Sequence, residues 1–270
     1  MCNFFSCIIT KDFTVLWNKD TDAHEELIED NKLNDSLKVG NGSRTWMKAE
    51  ITPKDGDIFN HAPENWEIKI DEQITEQWYL RNKTQYDKAM SHALMGCLSE
   101  MFITTGTTEN ITNGRWFVGG SATIKCVRGS ATIKYVKGSA TIEYVRDSAT
   151  IEYVGDSATI EYVGDSATIQ DVGDSATIQD VGDSATIKYV RDSATIKYVG
   201  DSATIQDVRG SATIQDVRDS ATIKASGQST IIKRTKSECK VEIDEEAMLI
   251  SRHTKEIEIN TKRFSWKQEE

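Results

Sequence analysis

Cysteine and histidine are the side chains of this sequence best suited to bind a transition metal. The chain has five cysteines and four histidines. The candidates are Cys2, Cys7, His24, His61 and His92. Structural zinc sites use two closely spaced ligand pairs, whereas the C-x4-C of Cys2 and Cys7 has no second pair. The sequence therefore predicts no metal site and no cofactor, and we expect His24 on the exposed surface of a helix.

Cys2 directly follows Met1 and is the one candidate nucleophile. Removal of Met1 would leave a thiol beside its own free amine, which can act as the base. This is the chemistry of N-terminal-nucleophile hydrolases, but Asn3 stands where their amidotransferase members have glycine. The N-terminal part of the chain is also small for their layered fold. We therefore expect Cys2 to begin a buried strand and predict no catalytic residue, with a cysteine hydrolase as the alternative.

Aspartate recurs at multiples of nine residues through the second half of the chain. The positions are Asp147, Asp156, Asp165, Asp174, Asp183, Asp192, Asp201 and Asp219. Calcium-binding nonapeptide rolls have this period, but they need a G-G-x-G-x-D pattern that is absent here. We expect each aspartate to cap a turn by accepting a hydrogen bond from the next backbone N–H. Weak binding of divalent cations stays open.

Serine and threonine, two residues apart, recur with the same period. An outward S-x-T lattice of this kind resembles ice-binding faces. However, lysine, glutamate or glutamine stands next to it, often beside tyrosine, and gives it a charged border. Threonine is also a good strand former on an exposed face. Ice binding is therefore a minor alternative.

Six tyrosines occupy one position of the repeat, which is aspartate in other copies. They are Tyr135, Tyr144, Tyr153, Tyr162, Tyr189 and Tyr198. A position that tolerates both residues should be exposed, because burying an unpaired carboxylate is costly. Tyrosine offers a large contact area at low entropic cost. The six are the predicted binding residues, for a protein or for carbohydrate.

The aspartate, serine, threonine and tyrosine positions described above belong to a nine-residue unit that occurs twelve times between residues 121 and 228. Eleven copies have the pattern SATIxxVxx, and the last copy, which begins at Ser220, lacks the valine. Exact repetition at a short period is typical of a solenoid. Within the unit, Ala131 and Ile133 share one side of a strand, whereas Val136 is three residues beyond Ile133. The chain must therefore bend near Lys134-Tyr135 for the valine to face inward. The glycine or aspartate at the ninth position predicts a turn.

The copies change in pairs, which indicates a structural period of eighteen residues. Tyr135 and Tyr144 are followed by the pair Tyr153 and Tyr162, and then by Asp171 and Asp180. We therefore predict a β-solenoid, either a β-helix or a β-roll, with two nonapeptide repeats per coil. Its core would be ladders of isoleucine and valine from successive coils.

Composition restricts the class of partner and the compartment. The net charge is −11, and no basic stripe follows the repeats, which argues against nucleic acid. The cysteines are scattered and odd in number, which favours a reducing compartment. The N-terminus lacks the basic region and cleavage site of a signal peptide, and no apolar run approaches a membrane span. These features predict a cytoplasmic protein, in a host cell or a virion, that does not bind membranes.

The sequence predicts three domains. Residues 1–105 form a small α+β head, residues 106–228 the solenoid and residues 229–270 a C-terminal β cap. In the head we predict strands over 4–10, 14–17, 46–51 and 66–70, a short helix after Thr21, and a helix over 72–98. Trp78, Tyr79, Tyr86, Met90, Ala93 and Leu94 are its predicted buried stripe.

Three segments of the head carry a family resemblance. They are MCNFFS, DTDAHEELIED and EITPKDGD with the following NWEIKIDEQITEQWY. They resemble an uncharacterised N-terminal module of bacteriophage and gut-bacterial proteins that is followed by varied repeat arrays. The resemblance covers the head only and brings no activity or catalytic residue. It implies a phage or prophage origin.

These observations predict a non-enzymatic structural or interaction protein. The solenoid would serve as a rod or a repetitive contact surface, and the head would dock or self-associate. The expected partner is a protein or a second copy of the chain. A phage protein that binds and blocks a host component is a further alternative with the same architecture.

Overall fold

The computed structural model describes residues 5–33, 44–71, 75–233, 239–243, 247–251, 256–259 and 262–265. Cys2, the candidate nucleophile, lies outside these residues. The chain divides into two compact units, Met1–Met101 and Phe102–Glu270. Each unit is described by itself below.

The first unit contains one antiparallel sheet and three short or medium helices. In chain order its elements are β1 (Phe5–Thr10), β2 (Val15–Leu16), α1 (His24–Asp30), β3 (Trp46–Pro53), a 3-10 helix (Pro63–Asn65), β4 (Trp66–Ile70), α2 (Gln77–Arg81) and α3 (Lys83–Met101). The sheet order is β2-β1-β3-β4. The four predicted strands are confirmed. The predicted helix over 72–98 is two helices, with its first residues outside the described part.

The predicted buried stripe of α2 and α3 supplies much of the first unit's core. Trp78, Tyr79, Tyr86, Met90 and Leu94 are buried, whereas Ala93 is only partly so. The Tyr86 ring packs edge-on against Trp78, with ring centroids 5.0 Å apart. Its hydroxyl donates a hydrogen bond to the Lys11 carbonyl, 2.8 Å away, which satisfies the one polar group of a buried ring.

The second unit is a stack of short strands, which are parallel except for the last two. They are β5 (Phe102–Ile103), β6 (Thr107–Ile111), β7 (Arg115–Val118), β8 (Thr123–Val127), β9 (Thr132–Val136), β10 (Thr141–Val145), β11 (Thr150–Val154), β12 (Thr159–Val163), β13 (Thr168–Val172), β14 (Thr177–Val181), β15 (Thr186–Val190), β16 (Thr195–Val199), β17 (Thr204–Val208), β18 (Thr213–Ile214), β19 (Thr222–Ala225), β20 (Thr230–Lys233), β21 (Lys240–Ile243), β22 (Met248–Ser251), β23 (Glu256–Ile259) and β24 (Lys262–Ser265).

Alternate strands of the repeat array lie in opposite sheets, which defines a β-solenoid. Sheet 1 has the order β5-β7-β9-β11-β13-β15-β17-β19-β21, and sheet 2 has β6-β8-β10-β12-β14-β16-β18-β20-β22-β23-β24. Ile142 pairs in parallel with Ile160, and Ile151 pairs with Ile169. Each strand is therefore followed eighteen residues later by its neighbour in the same sheet. The prediction of two repeats per coil is confirmed.

The core of the solenoid is built from three residues of each unit. In the unit of β12, Ala158, Ile160 and Val163 are each 0% exposed, and the same positions are buried in the first eleven copies of the unit. The two residues between Ile160 and Val163 both face outward, Glu161 exposed and Tyr162 partly so. The predicted bend is thus present, and it brings isoleucine and valine to the same interior.

Left-handed backbone geometry forms the corners between strands. The ninth-position aspartates have positive φ angles, such as 51° at Asp165 and Asp183. Aspartate tolerates this region better than most residues other than glycine. Some copies have glycine at this position, where the preceding coil is close: a Cβ on Gly138 would lie 2.8 Å from the Gly120 carbonyl oxygen. The predicted turns are confirmed.

The stack extends beyond the exact repeats in both directions. The bridge before Ser121 forms β6 and β7, and Phe117 pairs with Tyr135 in the register of the array. After Gln228, β20 and β22 continue sheet 2 in parallel, whereas β23 and β24 are antiparallel. An antiparallel hairpin therefore covers one strand edge of sheet 2. None of the helices in the described residues has the length and apolarity needed to cross a membrane.

Candidate interaction surface

The bend of each unit places the six tyrosines on the outside of the solenoid, three in each sheet. Sheet 1 carries Tyr135, Tyr153 and Tyr189, and sheet 2 carries Tyr144, Tyr162 and Tyr198. Four of them, Tyr135, Tyr144, Tyr189 and Tyr198, are 37 to 48% exposed. Tyr153 and Tyr162 are partly buried because of contacts described below.

Sheet 1 carries the longer column of aromatic rings. Phe102 stacks on Phe117 with centroids 4.6 Å apart, and Phe117 stacks on Tyr135 at 6.1 Å. Tyr135 meets Tyr153 edge-on at 5.9 Å. In sheet 2 the equivalent pair, Tyr144 and Tyr162, has centroids 6.3 Å apart. The rings thus form columns in strand register, in which the two phenylalanines and Tyr135 are stacked and the tyrosine pairs are inclined to each other.

Cationic side chains from the eighth position of the unit lie over these rings. Lys137 Nζ is 5.8 Å from the centroids of both Tyr135 and Tyr153. In sheet 2 the Arg146 guanidinium is 4.7 Å from Tyr144 and 5.6 Å from Tyr162. Cation–π contacts of this kind hold a ring and a charge together at an exposed site. They show that the eighth position, which the sequence reasoning treated only as part of a turn, also shapes the surface.

The aromatic column of sheet 1 is interrupted at Asp171, and a groove lies there. Its volume is about 580 Å³, and it is lined by Lys134, Tyr135, Lys137, Glu152, Tyr153, Gln170, Asp171, Tyr189 and Arg191. Arg191 Nε donates to both Asp171 oxygens at 2.9 and 3.0 Å, and its guanidinium lies 5.5 Å from the Tyr153 centroid. The groove therefore combines two tyrosine rings above and below a fixed arginine–aspartate pair.

Hydrogen bonds to the corner aspartates fix two of the tyrosines. The Tyr153 hydroxyl donates to Asp174 Oδ2 at 2.7 Å, and the Tyr162 hydroxyl donates to Asp183 Oδ2 at 2.8 Å. Burial, together with the adjacent Asp183 carboxylate, raises the pKa of Tyr162 to about 12. Gly155 makes room for Tyr153, since a Cβ at Gly155 would overlap its ring. These two rings are therefore held in place before any partner binds.

The corner aspartates bond across coils, and the expected capping of their own turns is wrong. Asp183 Oδ2 accepts the backbone N–H of Asp165 at 2.9 Å, and Asp165 Oδ2 accepts that of Asp147 at 3.2 Å. Each carboxylate thus ties its coil to the coil before it. The Asp165 N–H lowers the pKa of Asp183, and the Tyr162 hydroxyl lowers it further. Asp183 is therefore ionised at neutral pH.

Asp216 departs from the expectation that the sixth position is exposed. It is 0% exposed, and Arg218 donates to its Oδ2 from Nε at 2.9 Å and from Nη2 at 2.6 Å. Its Oδ1 has no hydrogen-bond partner in the described residues. Strand β18 ends two residues earlier, at Ile214, which lets the backbone turn this side chain inward. The charge is tolerated because an arginine pairs with it.

The remaining candidate residues lie in different surroundings. Each repeat serine, such as Ser157, is in the corner and its threonine, Thr159, begins the strand. The predicted S-x-T lattice therefore spans two parts of the coil. Cys7 is buried, and this burial raises the pKa of its thiol to about 12, which keeps it protonated. His24 is buried rather than exposed on α1, so that prediction is wrong.

Comparison with known proteins gives no relative from which a function could be transferred. No protein-family model matches the chain, and neither a curated protein nor a solved structure matches it.

Proposed function

We propose that this chain is a non-enzymatic interaction protein, and that sheet 1 of its solenoid binds a protein partner through the groove at Asp171. The observation that carries the proposal is the convergence of Tyr135, Tyr153, Tyr189 and Arg191 on one concave surface. Tyrosine and arginine are the residues most enriched in protein-binding hot spots. Fixed aromatic rings also lose little entropy on binding.

The groove has charges of both signs, which fits a polypeptide partner better than a polyanion. Lys134 Nζ is 2.7 Å from Glu152 Oε1, and Arg191 is paired with Asp171. Two of the three lining cations thus have carboxylate partners, and the third, Lys137, lies over the rings of Tyr135 and Tyr153. Polypeptide backbone and mixed side chains can bond to such pairs without displacing them.

We further propose a phage or prophage origin and a cytoplasmic or virion location. The support for the origin is the resemblance of the head segments, and the support for the location is the odd number of cysteines and their scattered positions in the sequence. The genes that flank the coding sequence test the origin directly. We expect neighbouring genes that encode virion or lysis proteins. Bacterial housekeeping genes on both sides would contradict the proposal.

The binding proposal is tested with two matched double variants of the full-length protein. Tyr135→Thr with Tyr189→Thr removes two exposed rings from sheet 1, and Tyr144→Thr with Tyr198→Thr removes their counterparts from sheet 2. Threonine keeps the strand propensity, so both variants should fold. Each protein is immobilised, bacterial host lysate is passed over it, and retained proteins are identified by mass spectrometry.

We expect a partner that the parent and the sheet 2 variant retain and that the sheet 1 variant loses. If all three proteins retain the same partners, the exposed tyrosines do not bind them. The binding surface would then lie in another part of the chain, and the solenoid would act as a spacer. The hydrolase alternative is tested separately, by mass spectrometry of the mature N-terminus. A retained or acetylated Met1 would exclude Cys2 as a nucleophile, because its amine would not be free.

A further inference from the structure

The buried histidine of the first unit has an unusual pair of neighbours. His24 is 2% exposed, and its Nε2 lies 3.1 Å from the Ala49 carbonyl oxygen. A carbonyl oxygen only accepts hydrogen bonds, so Nε2 must carry a hydrogen. The other ring nitrogen, Nδ1, lies 3.4 Å from Asp71 Oδ2. In the neutral ring, the Nδ1 lone pair therefore faces a carboxylate oxygen.

A positive charge between or beside two facing acceptors stabilises them. That charge is either a second proton on the imidazole or a metal ion. A third group favours the metal, because the Glu50 carboxylate converges on the same point. The ligand atoms of His24, Glu50 and Asp71 all lie within 4.8 Å of one another. One imidazole cation could not balance two carboxylates, whereas a divalent ion could.

Strands β3 and β4 fix this arrangement, and both neighbouring lysines also contact carboxylates outside the cluster. Asp71 donates its backbone N–H to the Lys48 carbonyl at 3.0 Å, which holds it next to β3. Lys48 Nζ lies 3.4 Å from Glu25, and Lys69, opposite Glu50 across β3 and β4, pairs with Glu67 at 2.5 Å.

We propose that His24, Glu50 and Asp71 bind a divalent transition-metal ion. Ligands about 2.0–2.2 Å from a tetrahedral ion lie about 3.4 Å apart, which is the distance between His24 Nδ1 and Asp71 Oδ2. The Ala49 carbonyl orients the ring as outer-shell acceptors do for metal-binding histidines. One imidazole with two carboxylates suits zinc or manganese better than magnesium or calcium.

The solvent side of the cluster leaves room for a further ligand. The Asp71 side chain is 56% exposed, whereas that of His24 is 3% exposed. Three protein ligands with an open fourth position can hold water or an acidic group of a partner. The proposed site lies in the first unit and does not depend on the groove of sheet 1.

The experiment measures zinc binding to the full-length protein by equilibrium dialysis, after removal of metal with a chelator. The variants are Glu50→Gln with Asp71→Asn, and His24→Gln. The matched control is His92→Gln with Glu100→Gln, two exposed residues of α3. Asp71→Asn alone is included because a change at the buried His24 could impair folding, which circular dichroism monitors.

We expect the parent and the control to bind one zinc ion per chain that the double variant does not bind. Loss of an outer partner typically weakens metal binding 10–100-fold, so loss of the direct ligand Asp71 should weaken it at least about tenfold. Zinc should also raise the melting temperature of the parent and the control, and not that of the double variant. No binding to the parent, or equal binding to the parent and double variant, would overturn the proposal.

Discussion

Replacing Asp183 with alanine tests how firmly the corners tie the coils together. Asp183 accepts two hydrogen bonds, from the Asp165 N–H at 2.9 Å and from the Tyr162 hydroxyl at 2.8 Å. Asp201 is the next aspartate of the same corner, and it accepts the Asp183 N–H at 3.0 Å. The residue equivalent to Tyr162 in that coil is Asp180, which has no hydroxyl to donate. Asp201 is therefore a matched control that lacks one interaction.

The two alanine variants should lower the free energy of unfolding by different amounts. A hydrogen bond to a carboxylate is worth about 1 kcal/mol where solvent screens it. Alanine in the left-handed region costs about 1 kcal/mol more, and both aspartates have this geometry, with φ angles of 51° and 48°. Asp201→Ala should therefore lower the free energy of unfolding by about 2 kcal/mol, and Asp183→Ala by about 3 kcal/mol.

The destabilisation caused by Asp183→Ala should become smaller at low pH. The Asp165 N–H and the Tyr162 hydroxyl lower the pKa of Asp183 in the folded state. A carboxyl with a lowered pKa stabilises the fold above its ordinary value of about 3.9, and this contribution is lost as the pH falls through the folded value. The destabilisation by Asp183→Ala should therefore be full at pH 7 and should shrink below about pH 4.

Urea unfolding of the full-length protein, followed by far-ultraviolet circular dichroism, measures both variants in the same background. A double-mutant cycle with Tyr162→Phe isolates the hydroxyl contribution. Tyr162→Phe should cost about 1 kcal/mol in the parent and in Asp201→Ala, and almost nothing in Asp183→Ala. Equal costs in all three backgrounds would refute the reasoning.

Three further predictions concern the core and the coil. Ile160→Ala should destabilise the solenoid by about 2–5 kcal/mol, because Ile160 is 0% exposed, and an unchanged urea midpoint would contradict its inward position. Deletion of residues 166–183, one whole coil, should preserve both sheets, whereas deletion of 166–174 moves every later strand to the opposite sheet. The variant that lacks 166–174 should therefore melt at a lower temperature than the variant that lacks 166–183. Equal melting temperatures would count against the assignment of alternate repeats to different sheets. Arg218→Met should leave the Asp216 carboxylate buried without its partner and cost about 3–5 kcal/mol at pH 7, whereas Arg218→Met with Asp216→Tyr, the residue found in the preceding coil of that sheet, should recover most of the loss.

The architecture of the solenoid was predictable because twelve consecutive nine-residue units share nearly the same sequence and therefore the same local structure. Isoleucine and valine separated by three residues predict the bend, and pairwise changes predict the eighteen-residue coil. The partners of the corner aspartates were not predictable in the same way. A carboxylate such as Asp165 can cap its own turn or accept a hydrogen bond from the neighbouring coil, and the sequence pattern is identical for both.

The first unit shows where sequence reasoning stops. His24 was expected on the exposed surface of the short helix after Thr21. Its burial depends on the contact with the Ala49 carbonyl, which a distant strand supplies. Glu50 and Asp71 meet it only through the register of β3 and β4, and metal-ligand spacing along the chain cannot reveal such a convergence. The prediction that Asp216 is exposed was wrong for a related reason. Its burial depends on the early end of β18 at Ile214 and on the ion pair with Arg218.

The corner aspartates also make the solenoid a polyelectrolyte. Along one corner, Asp147, Asp165, Asp183, Asp201 and Asp219 follow at the spacing of neighbouring strands, about 4.8 Å, which is shorter than the Debye length of about 8 Å at physiological ionic strength. Each added aspartate therefore repels its neighbours along the line. Moderate salt should screen this repulsion and stabilise the stack, in contrast to proteins held by surface ion pairs. The uncharged corner at Gly129, whose N–H donates to Asp147, ends this line of charge near the beginning of the array.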